Sequence, residues 1–120
     1  MRVLILGGDG YLGWPTAMHF SNRDHEVHVV DNYLRRSMHS SNGSDSLTPI
    51  GSLTDRLEAW HDVSGRKITH TIGDLTDYDV VEAVFDEFQP EAIVHYGEQP
   101  SAPYSMGSRQ QAIETQINNV

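Results

Sequence analysis

The sequence predicts an α/β fold in which helices cover both faces of a doubly wound parallel sheet. Short apolar runs alternate with segments of helical periodicity along its 120 residues. The first apolar run is followed directly by a glycine-rich turn, and no internal repeat interrupts the alternation. Because crossovers between parallel strands are right-handed, few topologies remain, and the strand order 3-2-1-4 fits best.

The first half of the chain contains two predicted strands. Residues 2–6 (Arg-Val-Leu-Ile-Leu) form the first strand, and the continuous branched apolar run after the arginine is what a strand buried on both faces requires. Residues 11–22 follow the glycine-rich turn as a helix. Its predicted inward side consists of Leu12, Ala17 and Phe20. Residues 26–30 form the second strand. Residues 36–50 contain Ser, Asn, Gly and Pro without periodicity, which predicts a long loop.

Residues 53–88 continue the alternation of helix and strand. Residues 53–60 carry apolar side chains at helical spacing, and residues 67–72 alternate as a strand does. Residues 77–88 form a helix that Pro90 closes. Its predicted apolar face consists of Val80, Val81, Val84, Phe85 and Phe88.

The end of the sequence predicts an unfinished sheet. Residues 91–95 form the fourth strand, residues 96–107 a second irregular loop, and residues 108–120 a helix without a stop signal. The fourth strand would be an apolar edge without a neighbour, whereas such sheets normally continue further. We therefore expect residues 1–120 to be the N-terminal segment of a longer chain.

Composition excludes several functions. Acidic residues number 17 and basic residues 8, and the net charge of −9 repels phosphate backbones and anionic membranes. Neither nucleic acid nor a membrane surface is therefore an expected partner. Cysteine is absent and the seven histidines show no metal-binding spacing, so thiolate chemistry and a metal site are not predicted. The N-terminal apolar run is too short for a signal peptide, which favours a cytoplasmic protein.

The turn after the first strand carries the strongest chemical signal. Its sequence, Gly-Gly-Asp-Gly-Tyr-Leu-Gly, satisfies both G-x-x-G-x-x-G and G-x-G-x-x-G between a strand and a helix. Gly7 and Gly10 allow the turn and the close approach of a pyrophosphate, and Gly13 lets the helix pack against the strand. The amides of Tyr11 and Leu12 would face the phosphates. This context is typical of a Rossmann dinucleotide site.

An acidic residue at the end of the second strand predicts which dinucleotide binds. Asp31 lies eighteen residues beyond Gly13 and matches the carboxylate that accepts hydrogen bonds from the adenosine ribose. A carboxylate there repels a 2′-phosphate, so we predict NAD and not NADP. Arg35 and Arg36 follow closely, either as phosphate or adenine contacts or as solvated loop charges. We expect Asp31 to dominate.

Two further strand ends carry candidate ligand contacts. Asp74, with Leu75 beside it, follows the third strand, where its carboxylate either accepts from the adenine amine or caps the next helix. Glu98 and Gln99 leave the fourth strand toward the nicotinamide side. They are candidate contacts to ribose or substrate, and the alternative is a hydrogen-bonded loop.

These residues together resemble the extended short-chain dehydrogenases/reductases that act on nucleotide sugars, in the NAD-dependent epimerase/dehydratase superfamily. Three stretches, residues 7–14, 46–50 and 97–106, are similar to the UDP-sulfoquinovose synthase family within it. The likeness runs across the whole chain. The two later stretches are loops that the superfamily does not share in general.

The resemblance implies NAD as cofactor and UDP-glucose and sulfite as substrates. It adds Asn32 and Asn118 to the cofactor contacts and places UDP-glucose near residues 98–101, which include Ser101. In the family reaction, hydride passes from C4 of glucose to NAD, and the 4-ketone acidifies C5. Water then leaves across C5–C6, sulfite adds at C6, and hydride returns, so NAD is recycled. Members of the superfamily often dimerise, which leaves a homodimer of the full-length protein open.

Two departures from the family pattern stand out. Pro100 occupies the position of an arginine, and proline supplies neither a cation nor a backbone donor. No tyrosine is followed by a lysine four residues later, so we expect the family's catalytic threonine and Tyr-x-x-x-Lys pair beyond residue 120 and no turnover by these residues alone. Two alternatives stay open: another NAD-dependent nucleotide-sugar epimerase or dehydratase, and a non-catalytic dinucleotide-sensing module.

Overall fold

The computed structural model describes residues 1–99 and 101–119 and contains one parallel sheet. The strands are β1 (Arg2–Leu6), β2 (Glu26–Asp31), β3 (Ile68–Ile72) and β4 (Ala92–His95). The helices are α1 (Gly13–Ser21), α2 (Leu34–Ser41), α3 (Leu53–Ser64), α4 (Tyr78–Phe88), α5 (Ala102–Ser105) and α6 (Arg109–Asn119). The strands lie in the order β3-β2-β1-β4, and all three pairings are parallel. The predicted α/β fold and strand order are confirmed.

Apolar side chains cover both faces of the two central strands. Ile5 of β1 is aligned with Val29 of β2 and Val94 of β4, and Ile5 and Val29 are fully buried. The face against α1 and α3 buries Val3, Ile5, Trp14, Ala17, Val27, Val29, Leu53, Leu57 and Ile68. The face against α4 buries Leu4, Val30 and Val84. The uninterrupted apolar run of β1 is thus explained by burial on both sides.

The first helix begins later than predicted, and one predicted inward residue points elsewhere. α1 starts at Gly13, and Leu12 is its N-cap residue with 55% of its surface exposed. The chain is still turning before this point, because the Gly10 N–H donates to the Gly7 carbonyl oxygen at 3.2 Å. Helical spacing read from residue 11 therefore misplaced Leu12, whereas Ala17 is buried as predicted.

The prediction that residues 36–50 form one irregular loop is wrong in its first part. α2 occupies Leu34–Ser41, and its first turn is prepared by Asn32, whose Oδ1 accepts from the Leu34 N–H at 3.0 Å. Tyr33 precedes the helix in a left-handed conformation, with φ of 55°. No residue of α2 is buried. Its apolar residues are a single pair four positions apart, Leu34 and Met38, which is too little for a sequence pattern to reveal a helix.

The second predicted loop, residues 96–107, also contains a helical turn. α5 is four residues long, and the Ser101 hydroxyl at its N-cap accepts from the Tyr104 N–H at 3.3 Å. The predicted departure at Pro100 lies outside the described residues. In the part of the chain described here, every helix is too short or too polar to cross a lipid bilayer.

Candidate dinucleotide-binding site

The candidate site lies at the carboxyl ends of β1, β2 and β4, where the strand order reverses about β1. The N–H groups of Gly7 and Gly8 donate to the Val30 carbonyl oxygen at 2.7 and 3.2 Å, and the Tyr96 N–H donates to the Leu6 carbonyl at 2.8 Å. These bonds hold the turn after β1 between its two neighbouring strands. Ligands of open parallel sheets bind in the crevice at such a point.

Two glycines of the turn occupy positions where a side chain would collide with backbone. Gly7 has φ of +85°, and a Cβ on it would lie 2.6 Å from the Tyr96 carbonyl carbon. A Cβ on Gly13 would overlap the Gly7 carbonyl oxygen. The start of α1 therefore rests directly on the end of β1, which is the close packing that the spacing predicted.

The N-terminal end of α1, which we call its mouth, carries backbone N–H donors. Tyr11 and Leu12 are 84% and 55% exposed, and no side chain caps the helix. Within residues 1–99 and 101–119, no acceptor pairs with the N–H group of either residue. Free amides at a helix N-terminus, together with the helix dipole, favour an anionic group such as a diphosphate.

Asp31 stands beside this mouth with its carboxylate held in place. Its Oδ2 accepts from the Asp9 N–H at 2.9 Å, and its Oδ1 accepts from the Tyr33 N–H at 2.8 Å. Each carboxylate oxygen can accept a second hydrogen bond, so both retain capacity for ribose hydroxyls. Asn32, exposed beside it, uses its side-chain oxygen to start α2.

Two arginines meet on Asp9, a residue that the sequence analysis did not single out. Arg36 Nε and Nη2 donate to the Asp9 carboxylate at 2.6 and 2.7 Å, and Arg56 Nη2 donates to Asp9 Oδ1. The Asp9 side chain is only 9% exposed. Neither glycine spacing nor strand periodicity signals this cluster, because Arg56 is 47 residues away in α3.

The two arginines predicted near the adenosine occupy different surroundings. Arg35 is exposed, whereas Arg36 also donates to the carbonyl oxygens of Ile50 and Gly51 at 3.3 and 2.8 Å. The hydrogen bond with Asp9 raises the pKa of the Arg36 guanidinium above its ordinary value. Arg36 is therefore a permanently charged cross-link between the glycine turn and the loop before α3.

The end of β3 lies next to Asp31, as the fold predicts. The Gly73 N–H donates to the Asp31 carbonyl oxygen at 3.0 Å. Asp74 is exposed, and its Oδ1 accepts from the Thr76 N–H and hydroxyl at 2.9 and 2.8 Å. The cap of α4 is Asp77 and not Asp74. Leu75 packs on the apolar cluster under α4.

The loop after β4 is tied to the last helix by amide side chains. Asn118 Nδ2 donates to the Gly97 carbonyl oxygen at 3.1 Å, and Asn119 pairs with the backbone of Gln99. Gln99 is 6% exposed, and both the oxygen and the nitrogen of its side-chain amide bond to the backbone of Ser101. Gln99 thus builds the loop, while Ser101 caps α5.

Glu98 differs from its neighbours in this loop. Its side chain is exposed and makes no hydrogen bond with any other described residue. The loop reaches the glycine turn, since a Cβ on Gly7 would lie 2.8 Å from the Gly97 nitrogen. The structure therefore brings Asn118 and Glu98 to the same sheet edge as the glycine turn.

Comparison with known proteins identifies relatives of the whole chain. Residues 3–120 match the family described as the NAD dependent epimerase/dehydratase family. The chain is 46% identical over 119 residues to the chloroplastic UDP-sulfoquinovose synthase of Spinacia oleracea. This match covers 99% of this chain and 25% of that protein. It is 42% identical to the UDP-sulfoquinovose synthase of Sulfolobus acidocaldarius, covering 99% of this chain and 30% of that protein. The chain thus spans between a quarter and a third of the length of these relatives.

A solved structure shares the fold. The UDP-Glc/GlcNAc 4-epimerase of Campylobacter jejuni superimposes with a TM-score of 0.71 and 28% identity. The match covers 98% of this chain and 30% of that one. The two backbones therefore agree over nearly all of the sheet and helices described above.

Proposed function

The chain belongs to the NAD dependent epimerase/dehydratase family, and from this premise we propose that it is the N-terminal, NAD-binding part of a UDP-sulfoquinovose synthase. Its geometry fits a dinucleotide. The unpaired amides of Tyr11 and Leu12 belong to the same turn as Asp9, whose N–H donates to the fixed carboxylate of Asp31, and the close packing at Gly7 and Gly13 leaves no room for a side chain there.

Each element of the site has a proposed task. The amides of Tyr11 and Leu12 bind the diphosphate, and Asp31 accepts from the ribose hydroxyls. Asp74, which follows β3 beside the end of β2, accepts a hydrogen bond from the adenine amine. Further proposed contacts around the cofactor come from Asn32, Arg35, Arg36, Leu75 and Asn118.

The proposed reaction joins UDP-glucose and sulfite into UDP-sulfoquinovose with loss of water. When bound, NAD supplies a reversible hydride acceptor for C4 of the sugar. In this proposal Glu98 accepts a hydrogen bond from a sugar hydroxyl, which is supported by its exposed side chain without hydrogen bonds to other described residues. Gln99 and Ser101 hold that loop in shape. Because no tyrosine here has a lysine four residues later, we assign these residues binding and not proton transfer.

One observation carries the choice of reaction. Identity to the two UDP-sulfoquinovose synthases is 46% and 42% over 99% of the chain. Identity to the superimposed epimerase is 28% over a similar span. The stretches at residues 46–50 and 97–106, which the superfamily does not share in general, support the same choice.

Two measurements test the proposal. Calorimetric titration of the protein at its full natural length should show NAD binding, and Asp31→Ala should weaken it about tenfold through loss of charge-assisted hydrogen bonds. Product analysis with UDP-glucose, NAD and sulfite should show a new C–S bond. Absence of binding contradicts the cofactor assignment, and a product without a C–S bond contradicts the sulfoquinovose assignment alone.

A second candidate is epimerisation of the same class of substrate, which the superimposed epimerase favours. The two reactions separate when sulfite is omitted. An epimerase would still convert UDP-glucose to its C4 epimer, whereas the proposed synthase would accumulate no sulfonated sugar and would depend on sulfite for net turnover.

A further inference from the structure

We propose that Asp9 sets the preference for NAD over NADP by engaging Arg36 and Arg56 and so withholding them from a 2′-phosphate. This inference rests on the proposed function, because it requires a dinucleotide at the mouth of α1. It assigns cofactor selectivity to a residue inside the glycine turn, in addition to Asp31 at the end of β2.

Asp9 lies directly beside the carboxylate proposed to grip the ribose. Its N–H donates to Asp31 Oδ2 at 2.9 Å. Whatever extends from the 2′ position of a ribose bound to Asp31 therefore comes close to the surroundings of Asp9. Those surroundings contain two guanidinium groups, which bind phosphate well.

The donors of Arg36 are committed to this chain. Nε and Nη2 form a two-pronged pair with the Asp9 carboxylate at 2.6 and 2.7 Å, and Nη2 also donates to the Gly51 carbonyl oxygen at 2.8 Å. The guanidinium lies 5.5 Å from the ring centre of Tyr33. Reaching a phosphate would require Arg36 to give up these bonds.

Arg56 engages the same carboxylate through one nitrogen only, and its buried Nε has no hydrogen-bond partner among the described residues. Its Nη2 donates to the Asp9 carboxylate and, at 3.2 Å, to the Asp9 carbonyl oxygen. Its guanidinium lies 5.1 Å from the ring centre of Trp14. Both arginines are thus directed toward one carboxylate that is 9% exposed.

The summed charge of the four side chains around Asp9 explains why the 2′-phosphate of NADP would gain nothing there. Asp9 and Asp31 carry two negative charges, and Arg36 and Arg56 carry two positive ones, so the group offers a 2′-phosphate no net attraction. An arginine near this position is what accommodates the 2′-phosphate in NADP-binding relatives of the fold. Removing the charge of Asp9 would leave both arginines available and the balance positive.

The test compares NAD and NADP affinities of Asp9→Asn by calorimetry on the protein at its full natural length. We expect affinity for NADP relative to NAD to rise about tenfold and the gain to shrink at high salt. Asp24→Asn is the matched control, because Asp24 also pairs with an arginine, Arg66, at 2.8 Å but is 83% exposed and outside the site. An unchanged ratio in a folded Asp9→Asn that still binds NAD overturns the inference.

Asp31→Asn gives an independent test that leaves the Asp9 cluster intact. Asp31→Asn removes one negative charge but leaves the arginine donors on Asp9, so affinity for NADP relative to NAD should rise while NAD stays preferred, although overall binding weakens. If Asp31→Asn alone bound NADP as tightly as NAD, the arginines would be available despite Asp9, and the inference would be wrong. This variant decides the question where Asp9→Asn does not fold. Failure of the unaltered protein to bind either dinucleotide would instead contradict the proposed function.

Discussion

Asn119 pairs with the backbone of Gln99 through both halves of its side-chain amide. Its Oδ1 accepts from the Gln99 N–H at 2.7 Å, and its Nδ2 donates to the Gln99 carbonyl oxygen at 2.9 Å. This two-bond contact fastens α6 to the loop after β4, which carries the proposed substrate residues. The loop therefore depends on a helix that follows it in the chain.

Asn119→Ala should loosen that loop. The substitution leaves a partly buried N–H and a carbonyl without their partners, which costs about 1–3 kcal/mol. Denaturant unfolding measures the loss, and hydrogen exchange at the Gln99 amide should accelerate. Asn42→Ala, at the exposed end of α2, is the control and should change neither. Unaltered exchange at Gln99 would show that the pairing does not hold the loop.

Gly13→Ala should damage both stability and cofactor binding. The added methyl group overlaps the Gly7 carbonyl oxygen, and displacing backbone of this kind costs about 1–3 kcal/mol. Because α1 would shift away from β1, its free amides would no longer meet a diphosphate. Thermal unfolding and NAD titration measure the two effects. Gly51→Ala is the control, since its nearest contact would be an ordinary 3.5 Å; equal effects in both variants would contradict the packing argument.

His28 should make stability depend on pH. Burial lowers its pKa below the ordinary 6.5, and the charge of Glu87 only partly opposes this. Its ring nitrogens lie 2.7 and 2.9 Å from the hydroxyls of Thr69 and Thr71. Since the unfolded chain takes up the proton first, stability is full above pH 6.5 and falls as the pH drops through that value.

The measurement for His28 is the free energy of unfolding between about pH 8 and about pH 5, where that loss develops. His28→Gln should flatten the dependence in this window, while His39→Gln, on an exposed side chain of α2, should leave it unchanged. A profile for His28→Gln that matches the unaltered protein would exclude this residue as the cause.

Glu98→Ala should weaken UDP-glucose binding selectively. Loss of one hydrogen bond from a sugar hydroxyl to a carboxylate corresponds to about 1.5–3 kcal/mol, or a rise in KM of about tenfold or more. NAD affinity should stay constant, because Glu98 makes no bond to another described residue. Steady-state kinetics and NAD titration separate the two, with Glu58→Ala on the exposed side of α3 as control. Parallel losses of NAD and sugar binding would place Glu98 in a structural role.

The features that sequence alone predicted depend on short stretches of chain. The apolar run of β1 indicated burial on both faces, and the spacing of Gly7, Gly10 and Gly13 indicated the turn into α1. The spacing of Asp31 from that turn predicted an acidic residue at the end of the second strand. These predictions worked for the fold because backbone sterics and side-chain periodicity act over a few neighbouring residues.

Local patterns failed where apolar side chains are too few to mark a helix. α2 buries none of its residues, so the sequence resembled a loop there. Leu12 had the spacing of a core residue but occupies the exposed N-cap position of α1, because the turn continues to Gly13. In both cases hydrogen bonds of the preceding turn, and not apolar burial, decide where the helix begins.

The sequence by itself determined the sheet, its strand order and the glycine turn, since these follow from local conformation and from the handedness of parallel crossovers. Only the tertiary structure decided that Asp9 holds Arg36 and Arg56, and that Asn119 holds Gln99. Contacts between residues 20 to 47 positions apart depend on how helices pack over the sheet, and no local pattern encodes which polar groups meet there.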